Sequence, residues 1–325
     1  MSIIEEAKEC ALSGIPLTKE QIIKLLEIPL NSEEDKLLRK AANEVAMKKC
    51  GGKAFIWSAV GADYAPCLMN CKFCSFGKKW GIIKNQVHYS TEQIVEKAKM
   101  FVENGAKYIV LRTTEFYSIP KLLEIVKVMR EEIKGNYEII FNTGELDMTI
   151  SNLMLESGVS GVYHACRLKE GVDTPFDPYD RKNTMNNVRR SGLKLISLVE
   201  PIGIEHTNEE IADNFLEILK YEAVISGAMA RIPVPGTPLG DIEKISDSRL
   251  AQIISVLRLS GGNIIKDICV HPATLEALKS GANIMVVETG AIPRDTDCEN
   301  DSWHGMDMNK AKELLKEAGY VVSNE

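Results

Sequence analysis

The stretch Phe55-Ile56-Trp57-Ser58-Ala59-Val60 runs through Gly61-Ala62-Asp63-Tyr64-Ala65-Pro66 into Cys67-Leu68-Met69-Asn70-Cys71-Lys72-Phe73-Cys74, and it decides how the rest of the chain is read. A six-residue run, apolar but for Ser58 and stopped by a glycine, has the length and composition of a buried strand. Three of the chain's eight cysteines follow it directly, inside one short loop, while the other five are scattered singly. Thiols that close together can converge on one inorganic centre.

Working outward, further apolar runs occur at 108–111, 138–141, 161–164, 194–199, 223–232, 263–268 and 283–287, with 54–60 as the first. Helical periodicity fills the gaps at 91–104, 119–134, 148–157, 183–191, 207–220, 246–259 and 272–280, with a last helix near 308–318. Eight strands, each followed by a helix, predict a parallel α/β fold that closes as a (β/α)8 TIM-type barrel. An open doubly wound sheet is the competing arrangement, but no Gly-x-Gly-x-x-Gly follows a strand. The first 50 residues read as helical, with a cap at Pro16-Leu17-Thr18-Lys19-Glu20 and another at Asn31-Ser32-Glu33-Glu34. The expected organisation is a helical N-terminal cap over 1–50 and one catalytic barrel over 51–325.

The 325 residues carry a net charge of −7, which argues against broad binding of nucleic acid. Aromatics at 6% are too few for a wall of base-stacking platforms. No apolar run of about 18 residues appears, so no membrane span is expected. The start Met1-Ser2-Ile3-Ile4-Glu5-Glu6-Ala7-Lys8 lacks the pattern of a signal peptide, and a cytoplasmic protein is the expectation.

Eight cysteines in an apparently unsecreted chain of this size do not make a disulfide scaffold. Structural zinc would want four ligands, and after Cys74 the nearest histidine is His88. A cubane iron–sulfur cluster held by three thiolates leaves one iron open to bind another molecule. The polar groups at strand ends, Glu115, Glu145, His164, Cys166, Arg167, Glu200, Arg231, Cys269 and His271, should face one mouth, because barrels do their chemistry there.

Cys-x3-Cys-x2-Cys after the first strand of such a barrel, with the aromatic Phe73 just before the last cysteine, resembles the radical S-adenosylmethionine (SAM) superfamily. The N-terminal helices, barrel and tail resemble the biotin synthase, HydE and PylB group. Residues 231–239, 252–259 and Ser280-Gly281-Ala282-Asn283-Ile284 are similar to that group's C-terminal half-barrel, the part associated with biotin and thiamin synthesis. The resemblance implies that Cys67, Cys71 and Cys74 hold a 4Fe–4S cluster whose fourth iron binds the amino and carboxylate groups of SAM. One-electron reduction by a donor such as ferredoxin or flavodoxin then yields methionine and a 5′-deoxyadenosyl radical that abstracts hydrogen from a small-molecule substrate. Glu115 is placed to receive the SAM ammonium and Arg181 its carboxylate, with Glu170 as the acidic residue preceding that arginine; Phe73 and Glu145 complete the cofactor-binding candidates. Cys166 and His271 are the catalytic candidates, the first as a hydrogen-atom donor or an inert thiol, the second as a catalytic group or a helix cap. The polar insertion at 297–304 reads as a lid or a surface loop.

The pattern departs from biotin synthase in one respect. That family keeps a second, sulfur-donating cluster on three cysteines and an arginine. Here the second strand ends Leu111-Arg112-Thr113-Thr114, strand seven offers Cys269 and His271 but no arginine, and only Cys166 remains. Sulfur insertion is therefore not expected, and the dense N-terminal cysteine motif of lipoyl synthases is absent. Among one-cluster relatives, HydE-like proteins mature iron–iron hydrogenase, PylB-like proteins rearrange lysine, and the HcgA/HmdB type makes a hydrogenase cofactor but usually carries a Cys-x5-Cys spacing. The expectation is an enzyme of cofactor or amino-acid biosynthesis in an anaerobe, hydrogenase maturation included. A non-catalytic iron–sulfur scaffold or carrier and a zinc-dependent barrel hydrolase are the alternatives.

Overall fold

The computed structural model describes residues 1–294 and 306–325; the insertion at 297–304 and Cys298 lie outside the described residues. Eight parallel strands form a closed ring: β1 (Lys53–Gly61), β2 (Tyr108–Arg112), β3 (Glu138–Asn142), β4 (Gly161–Tyr163), β5 in two pieces (Lys194–Ile196 and Val199–Ile202), β6 (Ile225–Ala230), β7 (Asp267–His271) and β8 (Ile284–Thr289). Each pairs with the next in sequence, and β8 returns to β1 with Phe55 opposite Ile284 and Val60 opposite Thr289. A ring of hydrogen-bonded strands has no open edge, so every strand can be apolar on both faces.

Alternation sorts the side chains of β1. Ala54, Ile56 and Val60 pack outward against the helices, while Phe55, Trp57 and Ala59 fill the barrel with Tyr108, Val110, Ile140, Tyr163, Leu198, Cys269 and Ile284. The surrounding helices start where side-chain oxygens satisfy their free N–H groups. α4 (Thr91–Glu103) opens on a Ser90/Gln93 capping box and α8 (Asn208–Lys220) on Thr207/Glu210. Along α8, Ile211, Ala212, Phe215, Ile218 and Leu219 make one buried stripe.

α9 (Asp247–Ser260) is different, being buried on all sides from Leu250 to Ser260. Its inner side meets the barrel, and its outer side is covered by α1 (Ile3–Ser13), α2 (Lys19–Leu26) and α3 (Glu33–Cys50). The join is polar as well as apolar. Gln252 donates to Ile28 O at 2.7 Å and to Asp35 Oδ1 at 3.2 Å, and Arg249 donates to Leu26 O at 2.9 Å. Arg39 donates to Asp35 at 2.6 Å and to Ser248 Oγ at 2.8 Å.

Besides the split of β5 and the extension of β8 to Thr289, four elements differ from the sequence expectation. The run at 263–268 is loop at its start, and the strand proper is β7, four residues later. The strand expected over 223–232 is shorter at both ends. α7 (Pro178–Ser191) begins five residues before 183, because Pro178 takes the first helical position behind the Asp177 N-cap. The helix expected over 272–280 shrinks to the single turn α10 (Leu275–Leu278).

Candidate active site

The same alternation that fills the barrel changes chemistry at its upper end. Going up the inward positions, Tyr108 and Val110 lead to Arg112, Leu198 to Glu200, Met229 to Arg231, Cys269 to His271, and Val286 to Glu288. A cavity of about 220 Å³ sits on this apolar floor, with Trp57 and Tyr163 in edge contact at 5.2 Å beneath it. A deep apolar bowl with a charged rim excludes water from its base and orients polar groups above it.

The rim charges are paired. Glu288 accepts from Arg112 Nη1 at 2.6 Å and from Arg294, and His271 Nε2 lies 3.6 Å from its carboxylate. Burial alone would raise the Glu288 carboxyl, but the charges of Arg294, His271 and Arg112 outweigh it and hold it well below the usual carboxylate range. Burial pushes the His271 imidazole down to about 4, with the Arg294 and Arg112 charges adding to it. Neither ring nitrogen of His271 makes a hydrogen bond among the described residues. Across the bowl, Glu200 accepts the Tyr163 phenol and sits 3.5 Å from Arg167 Nε; burial raises its carboxyl, partly offset by Arg167.

The cysteine loop leaves β1 and closes over this rim. Its fold is held by backbone bonds from Cys67 N to Phe76 O (2.6 Å), Lys78 N to Cys67 O (2.9 Å) and Cys74 N to Cys71 O (3.1 Å). It is also tied to three other strand-end loops: Lys72 N to Asp173 O (2.9 Å), Leu239 N to Lys72 O (3.0 Å) and Ser75 N to Pro293 O (2.9 Å). Cys67, Cys71 and Cys74 all line the cavity. His88, the first histidine after Cys74 in sequence, is held on an exposed short strand paired with Asp63, and does not line it.

These residues fit a cluster. Burial pushes the Cys71 thiol up to about 12 and Cys74 to about 11, and each is raised further by a neighbouring cysteine of the loop. Three mutually repelling thiolates in such a place need a compensating metal charge. Among the described residues no three Cys, His, Asp or Glu side chains are drawn together around a single-ion site.

Arg181 lies inside α7, buried, with its guanidinium 4.6 Å over the Phe176 ring. Nη1 donates to Glu145 at 2.9 Å, Nε donates to Ala165 O at 3.2 Å, and Glu170 stands 3.6 Å from Nε. Nη2 makes no hydrogen bond among the described residues, and the residue lines the cavity. The Glu145 carboxyl is lowered, burial being outweighed by its neighbours His164, Arg181 and Thr184. Glu115 lines the cavity too, and burial raises its carboxyl. Its backbone packs so closely under Gly144 that a Cβ there would stand 2.4 Å from Glu115 O. Thr114, beside it, is fixed by its N–H donating to Asp63 at 2.8 Å.

The structure thus brings Cys67, Cys71, Phe73, Cys74, Glu115, Arg181 and His271 to one cavity. Glu145 and Glu170 stand behind Arg181 rather than on the cavity wall; Glu170 also accepts from the Arg167 N–H at 2.7 Å. Cys166 does not line the cavity, and burial pushes its thiol up to about 11. His271 is not a helix cap, since Thr274 caps α10. Arg181 is not one either, since Asp177 caps α7. Sequence reasoning missed Tyr163, Glu288 and Arg294. The signal for Glu288 was the apolar alternation Ile284, Val286, which reaches it in two more residues.

Residues 65–219 match the Radical SAM superfamily model. The biotin synthase of Brachyspira hyodysenteriae is 23% identical over 98% of this chain and 95% of its own length. That of Nitrosopumilus maritimus is 27% identical over 87% of this chain and 91% of its own. Among solved structures, methylornithine synthase (PylB) superposes with a TM-score of 0.82 at 19% identity, covering 99% of this chain and 97% of that one. HydG, a maturase of the [FeFe]-hydrogenase, superposes with 0.81 at 14% identity, covering 99% and 75%. At these identities the structural likenesses speak for the fold, a (β/α)8 barrel.

Proposed function

We propose a function from one premise: this chain is a radical SAM enzyme, with a fold and relatives that fit the biotin synthase/HydE/PylB-like group. The cofactors of that superfamily are a 4Fe–4S cluster and SAM, which together supply, on one-electron reduction, a 5′-deoxyadenosyl radical able to take hydrogen from an unactivated carbon. The reading for this chain is hydrogen abstraction from a small molecule in cofactor or amino-acid biosynthesis, with hydrogenase cofactor maturation one such setting. The observation that carries it is the cavity itself, where three thiols roof an apolar bowl ringed by paired charges.

Cys67, Cys71 and Cys74 would hold the cluster. Glu115 would accept from the SAM ammonium, and Arg181 would present its free Nη2 to the carboxylate, with Glu145 and Glu170 fixing the guanidinium plane. Phe73, inside the loop and on the cavity wall, would shield the cluster from solvent. His271, neutral at pH 7, would offer the substrate an acceptor or a donor according to its tautomer. Trp57, Tyr163, Leu198 and Met229 form the floor that keeps water from the reacting carbon. Beyond the loop, Cys269 is the cavity's one thiol among the described residues, which does not make a second three-cysteine site and supports chemistry other than sulfur insertion.

The test is anaerobic reconstitution with iron and sulfide, reduction in the presence of SAM, and chromatography for 5′-deoxyadenosine. The nucleoside should appear, and faster with the right substrate. A fully loaded cluster that neither yields the nucleoside nor changes its EPR spectrum on adding SAM would end this reading.

A further inference from the structure

We propose that the surface carrying Lys78, Lys79 and Lys84, beside the cysteine loop, is the docking site for a small acidic one-electron carrier protein. The proposal rests on the reading above, in which the centre held by the loop must be reduced. It begins with charge. The chain has 46 acidic residues and a net charge of −7, yet the 28 residues from Tyr64 to Thr91 contain four lysines and no Asp or Glu. Lys72 is used internally, paired with Asp173 at 3.0 Å. Lys78, Lys79 and Lys84 are exposed, and no ion pair reaches them among the described residues.

The segment is also rigidly connected to the cysteines. Lys78 N donates to Cys67 O at 2.9 Å, Lys79 N donates to Asn70 Oδ1 at 2.8 Å, and the Trp80 indole donates to Cys71 O at 3.2 Å. Trp80 seats directly on Gly77, where a Cβ would stand 2.1 Å from the indole nitrogen. Leu68, between the first two cysteines, is 60% exposed, so the loop also presents an apolar side chain to solvent. An apolar spot with a charged surround is the usual make-up of a contact patch.

Electron transfer weakens steeply with distance, so a carrier must dock where the roof of the cavity is thin, on the loop itself. An acidic carrier is repelled by a −7 protein as a whole, and a local cationic patch reverses that field at the one place that matters. Such steering is screened within about 10 Å at 0.1 M salt, so it leaves a signature in ionic strength.

The experiment compares the reconstituted wild type with the double variant Lys78→Glu/Lys79→Glu. 5′-Deoxyadenosine formation is driven either by reduced flavodoxin or by dithionite, from about 50 to 300 mM salt. In parallel, carbodiimide cross-links between flavodoxin carboxylates and enzyme lysines are mapped by mass spectrometry. The flavodoxin-driven rate should fall at least about tenfold in the variant and lose its salt dependence, since each reversal changes two charges. The dithionite rate should stay within about twofold, and cross-links should fall on Lys78, Lys79 or Lys84 in the wild type. An unchanged flavodoxin rate, cross-links elsewhere, or equal loss with both reductants overturns the proposal. If the wild type makes no nucleoside with dithionite and its cluster shows no EPR change on adding SAM, the radical reading fails instead, and the cross-link map alone decides whether the patch docks the carrier.

Discussion

Replacing Glu288 by Gln keeps the shape of a buried side chain but removes the charge that two arginines share. Arg112 and Arg294 both donate to this carboxylate, His271 approaches it at 3.6 Å, and its side chain is 12% exposed. Taking one partner from a buried ion pair costs about 3–5 kcal/mol, because the remaining cation stays desolvated. Unfolding entropy near about 2.1 cal/mol/K per residue makes that a fall of about 4–7 °C in Tm for a chain of this length. The assay is thermal melting of the protein without cluster, wild type against Glu288→Gln, at one fixed scan rate because chains this long often unfold irreversibly. A carboxyl held below its usual range in the fold is ionised in both states above about pH 5, where its stabilisation is fully present; that contribution is lost only as pH falls below the unfolded value of about 4.3 toward the folded one. The Tm gap should therefore stay constant from pH 8 to about pH 5. Equal Tm values at pH 7, or a gap that closes between pH 7 and pH 5.5, would refute the reasoning, since the second result means that burial and not the arginines sets the carboxyl.

Other outcomes follow from the site. Cys71→Ala should leave the melting of the cluster-free protein within about 2 °C of wild type, as a half-buried loop thiol contributes little, while iron loading and nucleoside formation are lost; retained SAM cleavage would remove the loop from the chemistry. Arg181→Ala should weaken equilibrium SAM binding at least about tenfold, and Arg181→Lys should restore only part of it, because an ammonium cannot offer the planar fork. Wild-type affinity in both variants would end the role given to Arg181. Gly227→Ala places a Cβ 1.8 Å from Cys269 O at a φ of +154°, so β6 and β7 cannot keep their pairing; the expected result is insoluble protein or a Tm lowered by at least about 5 °C, and a wild-type melt contradicts it.

The barrel was legible because period-two apolar runs alternate with period-3.6 stripes for most of the chain. It became illegible where burial and composition part ways. Ile264 and Ile265 look like strand but sit in the turn after α9, with Ile265 packed under Gly261, whereas β7 begins and ends on the polar Asp267 and His271. Reading β8 as ending at 287 stopped one residue short of Glu288, since a carboxylate in an apolar run signals a strand end unless its partners are known. Of those partners, Arg112 arrives from another strand and Arg294 from the loop that leaves β8 itself. The three cysteines needed no such help, because their spacing is local. Glu145 and Glu170 show the opposite case: both read as cofactor-binding candidates, and both stand behind Arg181 instead of on the cavity wall.

The polar seam between the N-terminal helices and α9 joins residues more than 200 apart, with Asp35 bonded to Gln252 and Leu26 to Arg249. On a ribosome adding about 5–20 residues per second, α1 to α3 emerge roughly 10–40 s before the helix that covers their apolar side exists. The barrel cannot close before β8 either, because β1 waits for it as a neighbour. Nothing in this chain can therefore finish early. Its synthesis leaves a long interval in which apolar surface stays exposed.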